Sequence, residues 1–390
     1  MPIRYLTAGE SHGPALVAIL EGLPAGCPLD KITLQEELNR RRMGVGRSHR
    51  MKLETDELEI LSGVKNNRSL GSPITLLIRN KDSKSWDTLP PLLTPRPGHA
   101  DLVGTLKFQH DDIRNTLERA SARETAIRTA IGALCQSILK KFQIEFLAYV
   151  RQLGSIRISD SLDPWETQSV ILNSPLLCPD TAIEKKMIEH IQSCQKKGDT
   201  VGGIFEIRVK GVPLGLGSFT QWDKRLDANI VHAICAIPAI KGVQIGEGFR
   251  ACEFLGSQFQ DEIYYHPQKI KQFGFYRKTN HSGGFEGGMT TGQDIVISAV
   301  MKPLSSLPRK NLNSIHLVSK KTSKPLAQRT DTCAVPAAAI VAKNVTAIEI
   351  LNAFLEKFAG DSFSEVLDHF EHYLKSYEKN LRTPPEQKTV

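Results

Sequence analysis

The strongest constraint on the fold is residues 118–142, where apolar side chains recur at helical spacing. Ala126, Ala130, Ile131, Leu134 and Ile138 fall on one stripe. Such a stripe has to be covered by another element. Helical spacing returns at 180–197, 225–237 and 336–358, and residues 14–21, 73–79 and 293–301 read as strands. In 203–211, Phe205, Ile207 and Val209 alternate with Ile204, Glu206, Arg208 and Lys210, which predicts a strand with one polar face. Helices and strands are thus interleaved along the chain, with no repeat, low-complexity block or linker. Residues 83–101 read as a long, proline-rich loop. A length of 390 residues alone suggests two or three domains. The intimate mixture instead predicts one large unit over 1–377, then a charged, loose tail at 378–390.

Composition narrows the class. Seven scattered cysteines without a C-x-x-C pair argue against disulfide scaffolds and zinc ribbons, and predict reduced thiols and no metal. The first residues, Met-Pro-Ile-Arg-Tyr-Leu-Thr, carry no signal-peptide pattern. Apolar runs of about ten residues are too short to span a bilayer, so a soluble cytoplasmic protein is expected, without a membrane partner. The net charge of +8, from 50 basic against 42 acidic residues, favours an anionic ligand without saying which.

Four segments are unusual for scaffolding. Gly9-Glu10-Ser11-His12-Gly13 precedes a strand, and its glycines permit tight geometry that leaves His12 accessible; a polar turn is the plain alternative. Residues 40–50 carry Arg40, Arg41, Arg42, Arg47 and Arg50, the first three ending a short helix that begins near Thr33. Arg47 and Arg50 lie on a glycine-punctuated loop, where guanidinium forks suit carboxylate and phosphate oxygens. A solvated face or a nucleic-acid patch would use the same arginines, but no aromatic residues are interleaved. Arg96-Pro97-Gly98-His99-Ala100-Asp101 is followed by Arg119 and Arg123, four apart and so expected on one helix face near its N-terminus, aimed at an anion. Arg329-Thr330-Asp331 precedes the last helical segment. Two further stretches, residues 281–292 and Lys302-Pro303-Leu304-Ser305-Ser306, read as ligand loops. Neither has Rossmann or Walker A spacing.

Together these segments resemble the chorismate synthase family. The likeness also runs through Ser121-Ala122-Arg123-Glu124-Thr125, Gly198-Asp199-Thr200-Val201-Gly202-Gly203 and Gly211-Val212-Pro213-Leu214-Gly215-Leu216-Gly217, in the family's order from Tyr5 to about Phe358. The resemblance implies an α+β fold, a β-α-β sandwich assembled as a homotetramer. It implies a lyase that eliminates phosphate from 5-enolpyruvylshikimate-3-phosphate to give chorismate and requires reduced FMN. By the same resemblance, His12 protonates the departing phosphate, His99 stabilises the reduced flavin, and Asp331 serves as base beside flavin N5. Arg42, Arg47, Arg50 and Arg123 would hold substrate, and Arg42 and Arg47 would also contact NADP. The flavin site would comprise Arg119, Ala120, Ser121, Pro238, Ala239, Gly287, Lys302, Pro303, Leu304, Ser305, Ser306 and Arg329.

The chain departs from the family pattern in places. Pro238 stands where many relatives have Asn and can offer only a carbonyl, and Thr330 and Thr332 flank Asp331 where Ser or His and Pro are frequent. Alignment around Arg40–Arg42 needs a one-residue gap, so which of these arginines contacts ligand stays open. No added reductase domain is visible, which favours reduction of the flavin by an external reductase over an intrinsic NADPH-dependent activity. The competing class, a nucleic-acid-binding protein, predicts affinity that falls steeply with salt and no flavin binding.

Overall fold

The computed structural model describes all residues except 1, 49, 84–88, 267, 269–272, 308, 310, 311, 327–329 and 383–390, and describes residues 52 and 376–382 by backbone alone. Strands β1 (Arg4–Ala8), β2 (Ala15–Glu21), β3 (Leu58–Ser62) and β4 (Ile74–Arg79) form an antiparallel sheet of order β1-β2-β4-β3. Alternation sets its inner face: Leu16, Ala18 and Leu20 lie opposite Ile78, Leu76 and Ile74, all buried. A second antiparallel sheet has the order β8-β9-β7-β5-β6, from β5 (Glu145–Leu153), β6 (Ile156–Arg157), β7 (Gly203–Lys210), β8 (Ile240–Ile245) and β9 (Ile295–Met301). Phe205, Ile207 and Val209 are buried on its β7 strand.

Between the sheets lie α1 (Lys31–Arg42), α4 (Thr125–Leu139), α6 (Leu226–Cys235) and α7 (Val335–Lys357). Helix α4 packs on β2 and β4, while α7 packs on α4, α1, α6, β5 and β7. The result is a sheet–helix–sheet sandwich, as the resemblance implied. Helices α4 and α7 are buried on nearly every side, as expected of a middle layer. They cross closely at Gly132, where a Cβ would lie 2.2 Å from the Asn344 carbonyl oxygen. Beside the crossing, Glu37 of α1 accepts from Lys343 Nζ (2.7 Å) and Asn344 Nδ2 (2.8 Å). Burial would raise the Glu37 carboxyl, but Lys343, Asn344 and Arg40 together outweigh it and keep it below its ordinary range. Among the described residues α7 is the one helix long and apolar enough to cross a membrane, longer than the short runs visible in the sequence. Of its apolar window 83% is buried inside the protein, which marks it as a core helix.

Several expectations are corrected. Residues 118–142 are not one helix. Helix α3 (Arg114–Ala120) stops, Ser121 is extended, and a 3-10 turn Ala122–Glu124 leads into α4. Ser121 Oγ accepts from Arg123 N at 3.3 Å, the local bond by which serine competes with helix propagation. Helix α1, by contrast, starts near Thr33 as expected, at Lys31, because the Asp30 carboxylate caps the N–H groups of Ile32 and Thr33. The polar side of β7 is present as expected, with Arg208 and Lys210 partly exposed, but Glu206 is buried and accepts from Tyr149, Arg151 (2.8 Å), Arg208 (2.6 Å) and Ser298 (2.8 Å). Helix α8 (Phe363–Arg382) runs past the boundary expected at 377. Helices α2 (Asp101–Phe108) and α5 (Thr181–Lys197) complete the elements used below.

Candidate active site

Loops at one end of the sandwich enclose a cavity of about 1140 Å³. Its walls come from the β1–β2 loop, the loop after α1, the segment before α2, the α3–α4 break, the turn before β8, the segment after β9 and the approach to α7. It brings together His12, His99, Asp331, Arg47, Arg50, Arg123, Ala120, Ser121, Pro238, Ala239, Lys302, Leu304, Ser305 and Ser306, drawn from all four unusual segments.

His12 is one-third exposed toward this space. Its Nδ1 lies 2.9 Å from Glu118 Oε1, its backbone N–H donates to Glu118 Oε2 at 2.8 Å, and its Nε2 lies 3.2 Å from Arg50. Arg50 also donates to the Ser11 hydroxyl (2.8 Å) and carbonyl, which ties the loop after α1 to the β1–β2 loop. His99 is oriented by Asp101 through Nδ1. Arg96 grips the same carboxylate through Nε (2.8 Å) and reaches Ser306 Oγ at 2.7 Å. Burial of Asp101 would raise its carboxyl, but hydrogen bonds from His99 and Arg96 and the Arg96 charge hold it far below the usual range.

Asp331 accepts from Ser48 N at 2.6 Å and pairs with Arg47 at 3.0 Å. The backbone beside it is braced: Thr332 N donates to Gly46 O (2.7 Å) and Val201 N to Thr332 O (2.9 Å). Thr200 Oγ1 in turn donates to Leu304 O at 2.8 Å, so the 198–203 motif supports two walls of the cavity. Gly46 sits at φ +78°, with Ile191 and Thr332 where a Cβ would point.

The arginines are balanced by buried carboxylates. Arg123 donates to Asn80 Oδ1 (2.9 Å), Asp56 and Glu54 (3.3 Å). Arg41 lies beside Asp56 (3.5 Å) and donates to Thr125 and Ala122 O. Burial pushes the Arg41 guanidinium down to about 10; Asp56 opposes the shift, and Arg123 and Arg47 add to it. Of the α1 arginines that could meet a ligand, Arg41 therefore lines the cavity, whereas Arg42 points away to Asn39 (3.2 Å) and Thr55 O (2.8 Å). Turned inward and paired, Arg41, Arg47, Arg50 and Arg123 do not form the solvated basic face that a nucleic-acid surface requires.

Other expected residues fall elsewhere. Arg119 and Arg123 do not share a face, because the Ser121 break separates them; Arg119 is exposed and donates to Thr7 O (3.0 Å) and Gly9 O (3.3 Å). Gly287 sits in an exposed hairpin turn and Pro303 points out of the cavity lining. Arg329 lies outside the described residues. In 281–292 the close backbone approach is to the protein itself: a Cβ on Gly283 would meet Gly246 N at 2.3 Å, and one on Gly284 the Asp294 carbonyl at 2.6 Å. Around the flavin expectation, Lys302 Nζ donates to Gly98 O (2.8 Å), and its backbone N–H donates to the carbonyl of Ala239, a non-glycine residue at φ +70°. Burial and nearby Lys241 lower the Lys302 ammonium.

Glu54 and Asp56 escaped sequence reasoning, Arg96 and Glu118 were given no role there, and Arg41 stood among the three arginines left open. Glu118 adjoins Arg119 and Arg96 opens a quoted motif, so proximity was available as a signal; nothing in the sequence marks Glu54 and Asp56 as partners of Arg123. Among the described residues no group of three His, Cys, Asp or Glu side chains is placed to hold a metal ion.

The sequence profile described as chorismate synthase matches residues 3–355. The chorismate synthase of Geotalea uraniireducens is 46% identical over 95% of this chain and 98% of its own length. That of Geobacter sulfurreducens is 47% identical over 96% and 98%. The crystal structure of a chorismate synthase, 38% identical, superposes with a TM-score of 0.79 over 97% of this chain and 99% of that one. With the profile spanning most of the chain and the sandwich shared, the protein belongs to the chorismate synthase family.

Proposed function

We propose that the cavity residues divide among them the work of the family reaction, the anti 1,4-elimination of phosphate from 5-enolpyruvylshikimate-3-phosphate to give chorismate. This carbon–oxygen lyase step is the last common one of the shikimate pathway. The observation that carries the reading is the meeting of His12, His99 and Asp331 around one arginine-lined cavity, although they are distant in the sequence. The substrate has two carboxylates and a phosphate, and Arg47, Arg50 and Arg123, with Arg41 in place of Arg42, supply guanidiniums to bind them.

The residues also fit a flavin phosphate. Lys302, Ser305 and Ser306 offer a cation and hydroxyls, Ala120 and Ser121 offer the backbone of the α3–α4 break, and Arg47 Nε is buried without a partner. The volume exceeds the about 300–1,000 Å³ usual for one small ligand and suits two. Reduced FMN, when bound, supplies and recovers the electron density that the elimination demands. The protein's own residues do the rest. His12 gives a proton to the departing phosphate oxygen, Arg50 stabilises the charge that develops there, and Asp331, fixed by Ser48 and Arg47, acts as base. His99, fixed by Asp101, stabilises the reduced cofactor. With Arg42 turned to Asn39 and Thr55, an external reductant is the favoured source of electrons. A homotetramer and a cytoplasmic setting follow from the resemblance.

The test is an anaerobic assay with reduced FMN and the enolpyruvyl substrate, following chorismate absorbance. Turnover that is lost in His12→Ala while flavin binding persists is the expected result. A folded protein that forms no chorismate would overturn the reading.

A further inference from the structure

From the contacts of the His12 loop we infer that Glu118 is the positioning residue that makes His12 a proton donor toward the cavity; the inference rests on the proposed role of His12. Glu118 is 6% exposed; its carboxylate accepts the His12 backbone N–H through Oε2 at 2.8 Å, and its Oε1 lies 2.9 Å from His12 Nδ1. Its backbone carbonyl accepts from Ser11 N at 3.0 Å, so one residue holds two consecutive residues of the loop. An ionised carboxylate can only accept hydrogen bonds. It therefore fixes the proton on Nδ1 and leaves Nε2 as the atom that gains and loses the mobile proton. Nε2 is the atom that faces Arg50 (3.2 Å) and Asp82 (3.9 Å) at the cavity wall. The arrangement follows the base–orienter logic in which a buried carboxylate selects an imidazole tautomer.

The location of Glu118 explains how such precision is reached. It lies in the last turn of α3, immediately before the Ser121 break, and Ser121 Oγ donates to Ser11 Oγ at 3.1 Å. The same interruption that opens the α3–α4 backbone to a ligand thus also anchors the histidine loop.

The test compares kcat and KM of His12→Ala, Glu118→Ala, Glu118→Gln and the His12→Ala/Glu118→Ala double variant, with flavin binding measured on each. Glu118→Ala is expected to lower kcat about 10- to 100-fold while KM changes little, as for other orienters of histidine. The double variant is expected to match His12→Ala within about threefold, because the two residues act as one unit. Glu118→Gln is nearly isosteric and its amide oxygen can serve one of the two donors, so its loss should be smaller; it decides the matter where the alanine variant fails to fold. Parental kcat in both Glu118 variants, with His12→Ala slow, overturns the inference and leaves the role of His12 standing. A double variant slower by the product of the two single losses also overturns it. Parental kcat in His12→Ala instead refutes the donor role itself.

Discussion

At the scale of residues, each proposed reactive group is paired with a partner that fixes it: His12 with Glu118, His99 with Asp101, Asp331 with Arg47 and Ser48. Asp331→Asn keeps the shape and the bond from Ser48 but removes the basic carboxylate, so flavin binding measured by fluorescence titration should persist while turnover falls by about 100-fold or more. Asp101 carries a stability consequence as well. Its native carboxyl lies below the unfolded value, so its contribution is complete above about pH 4 and fades as acid protonates the native form. Asp101→Asn is therefore expected to lose about 1–3 kcal/mol at neutral pH, and denaturation curves of the two proteins should converge on acidification. Individual residues were legible in the sequence where a motif held them, as with His12, His99 and Asp331. The choice among Arg40, Arg41 and Arg42 stayed open in the sequence because adjacent helical positions differ by about 100° in direction, and it depends on Thr125 and Asp56, which only the fold brings near.

At the scale of elements, the decisive features are one break and one crossing. Periodicity located helices α4, α5, α6 and α7 and strands β2, β4, β7 and β9, since a buried stripe or alternation is a property of the sequence itself, but it did not mark β1, β3, β5 or β8. It could not register the Ser121 break, which takes a single residue out of helical geometry through a side-chain bond to Arg123 N. That break moved Arg119 to the surface and Arg123 into the wall. The α4–α7 crossing yields a prediction of opposite sign to propensity. Alanine is a better helix former than glycine by about 0.5–1 kcal/mol. At Gly132, however, the new methyl would collide with the Asn344 carbonyl, so Gly132→Ala should destabilise by about 1–3 kcal/mol in chemical denaturation.

At the scale of the whole molecule, several of the basic side chains behind the excess of +8 line the cavity. Arg47, Arg50, Arg96 and Lys302 converge on the cavity, while Glu54 and Asp56 hold Arg41 and Arg123 in its wall. A field of this sign would draw in the proposed substrate, with its two carboxylates and a phosphate, and salt screens it over a length of about 8 Å at physiological strength. Raising ionic strength from about 0.05 M to about 0.5 M should increase KM several-fold in initial-rate measurements and leave kcat nearly unchanged. The layer order has its own consequence for biosynthesis. Helix α7 fills the middle of the sandwich, yet it leaves the ribosome roughly 200 residues after α4, about 10–40 s later at ordinary rates of elongation. Throughout that interval the faces of α4 and β5 that α7 covers in the finished fold lack that cover, so the order of synthesis sets a minimum time before the middle layer of the sandwich can be complete.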